Sequence, residues 1–264
     1  MFWLVWRGDA TVIQPVPYCG LPPLPGDILT RFNLDPRLVL VLALCCAVHV
    51  LWLRHRAPEL HVQGYKFAFW GWAVTALALL SPICALSVSL FAARVGQHML
   101  LVLVAAPLIA LGWPRSVPAK RSWPIWASSA LFFLALWYWH MPVPYQSTFG
   151  SVFLYWTMHV TLFGSSIILW REFLAHSPSH TAQVLAAGSI TFVQMGLLGA
   201  VLALASRPMF PWHFVTTQAW GLTPLQDQQL GGAVMWVPGI LLFLWTAIRS
   251  MSRLWESVDR VRVA

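Results

Sequence analysis

Nine side chains of this sequence combine the right chemistry with the right positions to bind a soft metal ion: His98, Met99, His140, Met141, His159, Met195, His213, Asp227 and Met235. Imidazole and thioether together suit cuprous ion (Cu+), whereas calcium or magnesium would need several carboxylates or carbonyls. The chain has only eight acidic residues. Among them, Asp227 stands near the start of the last apolar run, where it is open to three roles: an outer ligand, a partner orienting a histidine, or a helix N-cap. No GxSxG, HExxH or P-loop pattern is present, so the expectation is a protein that is not an enzyme. Passing an ion between soft ligands needs no general base. There is also no CxxC, which removes support for thiol redox chemistry and zinc fingers.

The elements that must position these residues are membrane helices. Hydrophobic residues make up 59% of the chain and charged residues 9%, and an apolar run of about 20 residues crosses the hydrocarbon as a helix. Seven such runs are expected at roughly 37 to 54, 66 to 85, 92 to 112, 122 to 140, 150 to 171, 183 to 206 and 229 to 248. Lipid offers the backbone no partners, so each must be helical. Runs such as Val102 to Leu111 are apolar on every face, unlike the short alternating segments of a barrel. The expected architecture is therefore an all-α integral membrane protein, a seven-helix bundle. Its parts are an irregular outer segment (1–35), the membrane domain (36–250) and a basic cytoplasmic tail (251–264).

Placing the N-terminus outside and the C-terminus inside gives the inner side Arg54, Arg56, Lys66, Arg115, Lys120, Arg121, Arg171, Arg249, Arg253, Arg260 and Arg262 of sixteen basic residues. The positive-inside rule favours that N-out/C-in arrangement. The net charge of +8 then reads as a topology signal and an attraction to anionic membrane lipids. It is not a nucleic-acid footprint, which would need a basic soluble domain. The opening Met-Phe-Trp-Leu-Val-Trp lacks the basic start of a cleaved signal.

In this frame His98, His159 and Met235 lie roughly 10, 13 and 9 Å below the outer ends of their spans, and Met195 about 16 Å. Four helices thus offer a ligand at similar depth, with His140, Met141 and His213 near the mouth. Plainer roles compete. A neutral histidine also serves as a hydrogen-bond link between helices, and Met fills gaps in any apolar core. Trp113, Trp123, Trp137, Trp139, Trp170, Trp212 and Trp220 fall near span ends, as an aromatic belt would. Arg94, one turn before His98, either snorkels outward or pairs with Asp227. Cys45 and Cys46 read as buried small residues. Cys19 and Cys84 fall on the outer side, where oxidation is allowed, so a disulfide and a pair of thiols are both open.

The sequence around these residues resembles a known family. Gln97-His98-Met99-Leu100-Leu101 running into Ala105-Ala106-Pro107-Leu108, Trp139-His140-Met141-Pro142, His159 in a span ending at Trp170, and Asp227-Gln228-Gln229-Leu230-Gly231-Gly232 followed by Met235-Trp236-Val237-Pro238-Gly239 are similar to the multi-span CtaG family of cytochrome c oxidase assembly factors. The resemblance covers most of the chain after the first span. It implies a protein of the bacterial cytoplasmic (inner) membrane that helps assemble a haem-copper oxidase by handling copper at the outer side. Its partners would be cytochrome c oxidase subunits and a copper donor protein. The pattern departs at Arg94 and Val95, where family members often carry a second His-Met pair, and a cation there would repel a bound copper ion. Other readings remain open: a b-type haem protein with His98 and His159 as axial ligands, a copper importer, and a metal-free scaffold for oxidase subunits.

Overall fold

The computed structural model describes residues 2–7, 10–56, 61–113, 123–176 and 178–263. Strands β1 (Phe2–Arg7) and β2 (Ala10–Pro15) form an antiparallel hairpin that pairs Phe2 with Pro15 and Arg7 with Ala10. The segment expected to be irregular throughout therefore begins with paired backbone, and its Val, Ile and Trp residues are strand formers. The stretch that follows has a single 3-10 turn, Ile28–Thr30. It is tied to the bundle by Tyr18 donating to Asp35 (2.6 Å) and by Asn33 N–H donating to the Leu80 carbonyl (2.9 Å).

Every one of the seven apolar runs lies on a helix, but the helices are not all simple rods. Helix α1 is Pro36–Arg56. Helix α2 (His61–Leu80) meets α3 (Pro82–Ser89) at a 48° bend. Ser81 caps the new start by accepting from Ile83 N–H, and Pro82 takes the first turn, where its missing donor costs nothing. Helix α4 (Phe91–Met99) continues through a π-helical turn, Leu100–Ala105, into α5 (Ala106–Leu111). Helices α6 (Trp123–Trp139), α7 (Pro142–Gly150), α8 (Val152–Ala175), α9 (Thr181–Ala203) and α10 (Pro224–Val263) follow. Helix α10 carries straight on through the basic tail. The connection holding Arg115, Lys120 and Arg121 lies outside the described residues.

Among the described residues four helices are long and apolar enough to cross a membrane: Pro36–His55, Phe91–Leu111, Val152–Leu174 and Pro178–Ala203. The bent pair Gln63–Leu80 and Pro82–Ser89 makes a fifth if it counts as one span. Helix α6 has 17 residues, about 25 Å of rise against a hydrocarbon core of about 30 Å. Of the four, Phe91–Leu111 is the most buried, with 72% of its apolar window inside the protein, against 17% for Pro36–His55. The helix carrying His98 is thus the bundle's centre and α1 its rim.

The π turn leaves one carbonyl to be satisfied from outside the helix. A π register pairs the carbonyl of residue i with the N–H of i+5, and the partner that Val102 would need is Pro107, which has no N–H. The Val102 carbonyl instead accepts from the Trp170 indole (2.8 Å), so α8 satisfies the break and is locked to it. Trp170 is consequently an interior residue and not part of an aromatic belt. Trp137 donates to Gln194 (2.8 Å), Trp139 to Thr161 (2.8 Å) and Trp212 to the Val88 carbonyl (2.9 Å). An indole N–H placed between helices gains a partner there that lipid would deny it.

The Asp227–Gly232 stretch latches α10 into place. Thr223 and Gln226 form a capping box at the start of the helix, each accepting the other's backbone N–H. Gln228 accepts from Met209 N–H (2.7 Å) and donates to the Leu202 carbonyl (3.3 Å), while Gln229 donates to the Ala205 carbonyl (3.3 Å). A Cβ at Gly232 would stand 2.5 Å from Ala203 N, and one at Gly231 would meet the Phe91 ring at 2.5 Å. Both glycines are required by the close approach of α10 to α9 and α4.

Candidate metal centre

His98 sits on α4 just ahead of the π turn, His140 one residue past the end of α6, and His159 two turns into α8. All three are buried. Their rings meet: His98 lies 5.4 Å from His159 and 5.7 Å from His140, centroid to centroid, with interplanar angles of 76° and 82°.

Backbone carbonyls fix two of the three tautomers. His140 Nδ1 is 2.7 Å from the Leu136 carbonyl and His159 Nδ1 is 2.9 Å from the Tyr155 carbonyl. A carbonyl only accepts, so each Nδ1 carries the proton and each Nε2 keeps a lone pair. For His140 the same bond occupies a terminal carbonyl of α6, and Pro142 then starts α7. Neither Nε2 has a hydrogen-bond partner, and neither ring nitrogen of His98 has one. Four buried imidazole nitrogens are thus left unsatisfied in one cluster, against the strong tendency of buried polar atoms to pair.

With metal–nitrogen bonds of about 2 Å, three imidazoles around one ion have centroids about 5 to 5.5 Å apart, close to the separations observed. The rings as they stand meet edge to face and do not converge on a point. Among the described residues no three His, Cys, Asp or Glu side chains are set to hold an ion without rearrangement. Rotation of the rings about their side-chain bonds is what a shared ion would require.

The other expected residues are distributed around this cluster. Met99, Met195 and Met235 are buried in the same apolar core, where their thioethers pack against its side chains. Met141 is 37% exposed at the rim. His213 stands apart with both nitrogens engaged, Nε2 with the Tyr145 hydroxyl (2.7 Å) and Nδ1 with the Ser89 carbonyl (3.2 Å) and Thr216 Oγ1 (3.3 Å). Asp227 is a helix cap, but of a different helix from its own. Its Oδ2 accepts from Phe91 N–H (2.6 Å) and its Oδ1 from Ala92 N–H (3.0 Å), at the start of α4. The expected Arg94–Asp227 pair is absent, because both carboxylate oxygens are spent on that helix end. Nor does Arg94 snorkel: it is 2% exposed, with its guanidinium over the rings of Phe149 (4.2 Å), Tyr145 (5.0 Å) and Tyr155 (5.8 Å).

Sequence reasoning missed the cluster's surroundings. Tyr155, one turn before His159, stacks on it at 4.3 Å and gives it a carbonyl. The Tyr155 hydroxyl lies 3.3 Å from Cys19 Sγ and 3.7 Å from Cys84 Sγ. Those two cysteines are joined in a disulfide with Cα atoms 5.5 Å apart. Gln97 donates to the Ala78 carbonyl (2.8 Å), tying α4 to α2 beside His98. The i−4 spacing of Tyr155 was the one available signal. A cleft lies between α9 and α10, near Gly188 and Thr246 and away from these histidines.

Fold and site together define a helical bundle with membrane-length apolar helices, closed around three histidines of which none has a full set of partners. A match to the family described as cytochrome c oxidase caa3 assembly factor (Caa3_CtaG) runs over residues 46–257, and the chain belongs to that family. The matched stretch contains all nine candidate residues. No curated protein and no solved structure matches the chain.

Proposed function

We propose that this assembly factor receives cuprous ion at the outer face of a bacterial cytoplasmic membrane, holds it on His98, His140 and His159, and releases it to a nascent cytochrome c oxidase subunit. The supporting observation is the set of four unpartnered imidazole nitrogens buried in one place. Imidazole is a suitable ligand for copper, and neutral rings with a free Nε2 are the form that ligates. Met99 and Met141, adjoining His98 and His140 in sequence, are transfer ligands in this reading, since thioether binding is indifferent to proton uptake. No bond of a substrate is made or broken, so the protein acts as a carrier and not as an enzyme.

The seven-span, N-out/C-in arrangement belongs to the same proposal. Helices α6 and α10 add two crossings to the five, and the Cys19–Cys84 disulfide agrees with an oxidising outer compartment. Arg253 donating to the Leu174 carbonyl (2.9 Å) agrees with an inner end for α8 and α10. The partners are an oxidase subunit and a soluble or membrane copper donor, with anionic lipids around the basic inner face.

The test is metal content by mass spectrometry with a visible spectrum, on detergent-purified protein loaded with cuprous ion under reducing conditions. Wild type is expected to hold near-stoichiometric copper without a Soret band. The His98→Ala and His159→Ala variants are expected to bind at least about tenfold more weakly. Unchanged copper in both variants would sink the assignment, no copper in any form would favour a metal-free scaffold, and a Soret band would favour a b-type haem protein.

A further inference from the structure

Arg94 is a permanently charged group in the interior of a bundle whose other described site residues include no free anion. A guanidinium does not lose its proton in a protein, and buried charges in membrane helices are ordinarily paired with one another or with backbone carbonyls. Arg94 has neither. Its Nε and Nη1 have no hydrogen-bond partner, and the ion pair between Arg31 and Asp27 lies elsewhere, at the surface. Asp227, on α10, is committed to Phe91 and Ala92 on the turn before it. The three aromatic rings accept the cation through their faces, which steadies the charge but leaves the Nε and Nη1 N–H groups without acceptors.

We infer that Arg94 is an anion-binding site, in which a small monovalent anion, a halide or a carboxylate, sits against the guanidinium N–H groups beside the histidine cluster. His98 lies one turn further along the same helix, and residues four apart share a helix face. Its neutral ring carries one N–H on a nitrogen that has no acceptor, so it supplies a second kind of donor to the same anion. The anion removes the repulsion that Arg94 would otherwise exert on a cation held by His98, His140 and His159. It equally satisfies the guanidinium when no metal is bound. The anion site therefore stands whether or not the copper reading does.

The experiment uses metal-free, detergent-purified full-length protein, with radiolabelled chloride and radiolabelled formate in equilibrium dialysis at constant ionic strength. The expected result is saturable binding of one anion per chain, lost or weakened at least tenfold in Arg94→Gln. Arg94→Lys keeps the charge without the planar donor set, so intermediate binding is expected, and it carries the comparison if Arg94→Gln does not fold. Chloride alone identifies a halide site, formate alone a carboxylate site, and competition between them a shared one. No saturable binding of either anion to wild type, or binding by Arg94→Gln and Arg94→Lys equal to wild type, would overturn the inference. Because no metal is present, this outcome is independent of the copper measurement.

Discussion

Asp227 closes the N-terminus of a helix to which it does not belong: its carboxylate accepts from the backbone N–H of Phe91 at 2.6 Å and from that of Ala92 at 3.0 Å. Leu90 stands at the N-cap position of α4 and has no side chain able to cap. The first amides of that helix are buried, and without an acceptor they would carry the full cost of desolvation. A carboxylate also complements the positive end of the helix dipole. The same helix presents His98 two turns on, so the α10 latch and the histidine cluster are mechanically one unit.

Replacing Asp227 by Ala is expected to destabilise the protein by about 2–3 kcal/mol, since losing the cap leaves two buried amides without an acceptor. Asp227→Asn, which keeps one acceptor oxygen, is expected to cost about half as much. Thermal unfolding in detergent measures both. Equal stability of Asp227→Ala and wild type would show that the cap contributes nothing.

The cysteines give a prediction that needs no assumption about metal. Cys19 and Cys84 are bonded across a sequence separation of 65, while Cys45 and Cys46 are free. Alkylation of denatured, unreduced protein should add two labels, and four after reduction, in a chain with four cysteines. The paired Cys19→Ser and Cys84→Ser change is expected to lower stability by roughly 2–4 kcal/mol through the lost loop constraint. It also removes the sulfurs beneath the Tyr155 hydroxyl. Four labels without reductant would contradict the bond.

How much of this was legible in the sequence depended on the residue type. His98, His140 and His159 stood out because imidazole is rare and expensive inside a membrane, and the three do come together. Met195 and Met235 carried no comparable signal, since a thioether packs in any core. His213 was expected near the mouth beside His140, yet Tyr145 and Ser89 occupy its nitrogens, and nothing in the spacing of a loop histidine reveals that. The cap by Asp227 was invisible for another reason. A cap supplied by one helix to another requires knowing which helices are neighbours, and apolar run length does not encode helix order. A carbonyl left unpaired upstream of Pro107 was readable in principle, because proline removes a donor, but its pairing with Trp170 is a tertiary event. Span-end tryptophans were assigned to the lipid interface on position alone, and Trp137, Trp139, Trp170 and Trp212 show that an indole N–H seeks a partner between helices when one is within reach.

His213 gives the remaining prediction, through pH. It lies in the connection between α9 and α10, outside the membrane-spanning segments, and burial with no carboxylate partner pushes it from about 6.5 down to about 3. Its bond to the Ser89 carbonyl works the other way and the Arg94 charge adds to the depression. The neutral tautomer fits its surroundings, with Nδ1–H donating toward Ser89 and Thr216 and Nε2 accepting from Tyr145. The unfolded chain takes up a proton near 6.5 and the folded one does not until about 3. The stability this histidine contributes is therefore fully present above pH 6.5 and is lost as pH falls through that window. In His213→Gln, which cannot be protonated, the fall in unfolding temperature between pH 7 and pH 4 should be shallower than in wild type. Tyr145→Phe leaves Nε2 without its donor and is expected to lower stability at every pH by about 1–2 kcal/mol. Identical pH slopes for wild type and His213→Gln would mean that the acid sensitivity of this fold resides elsewhere.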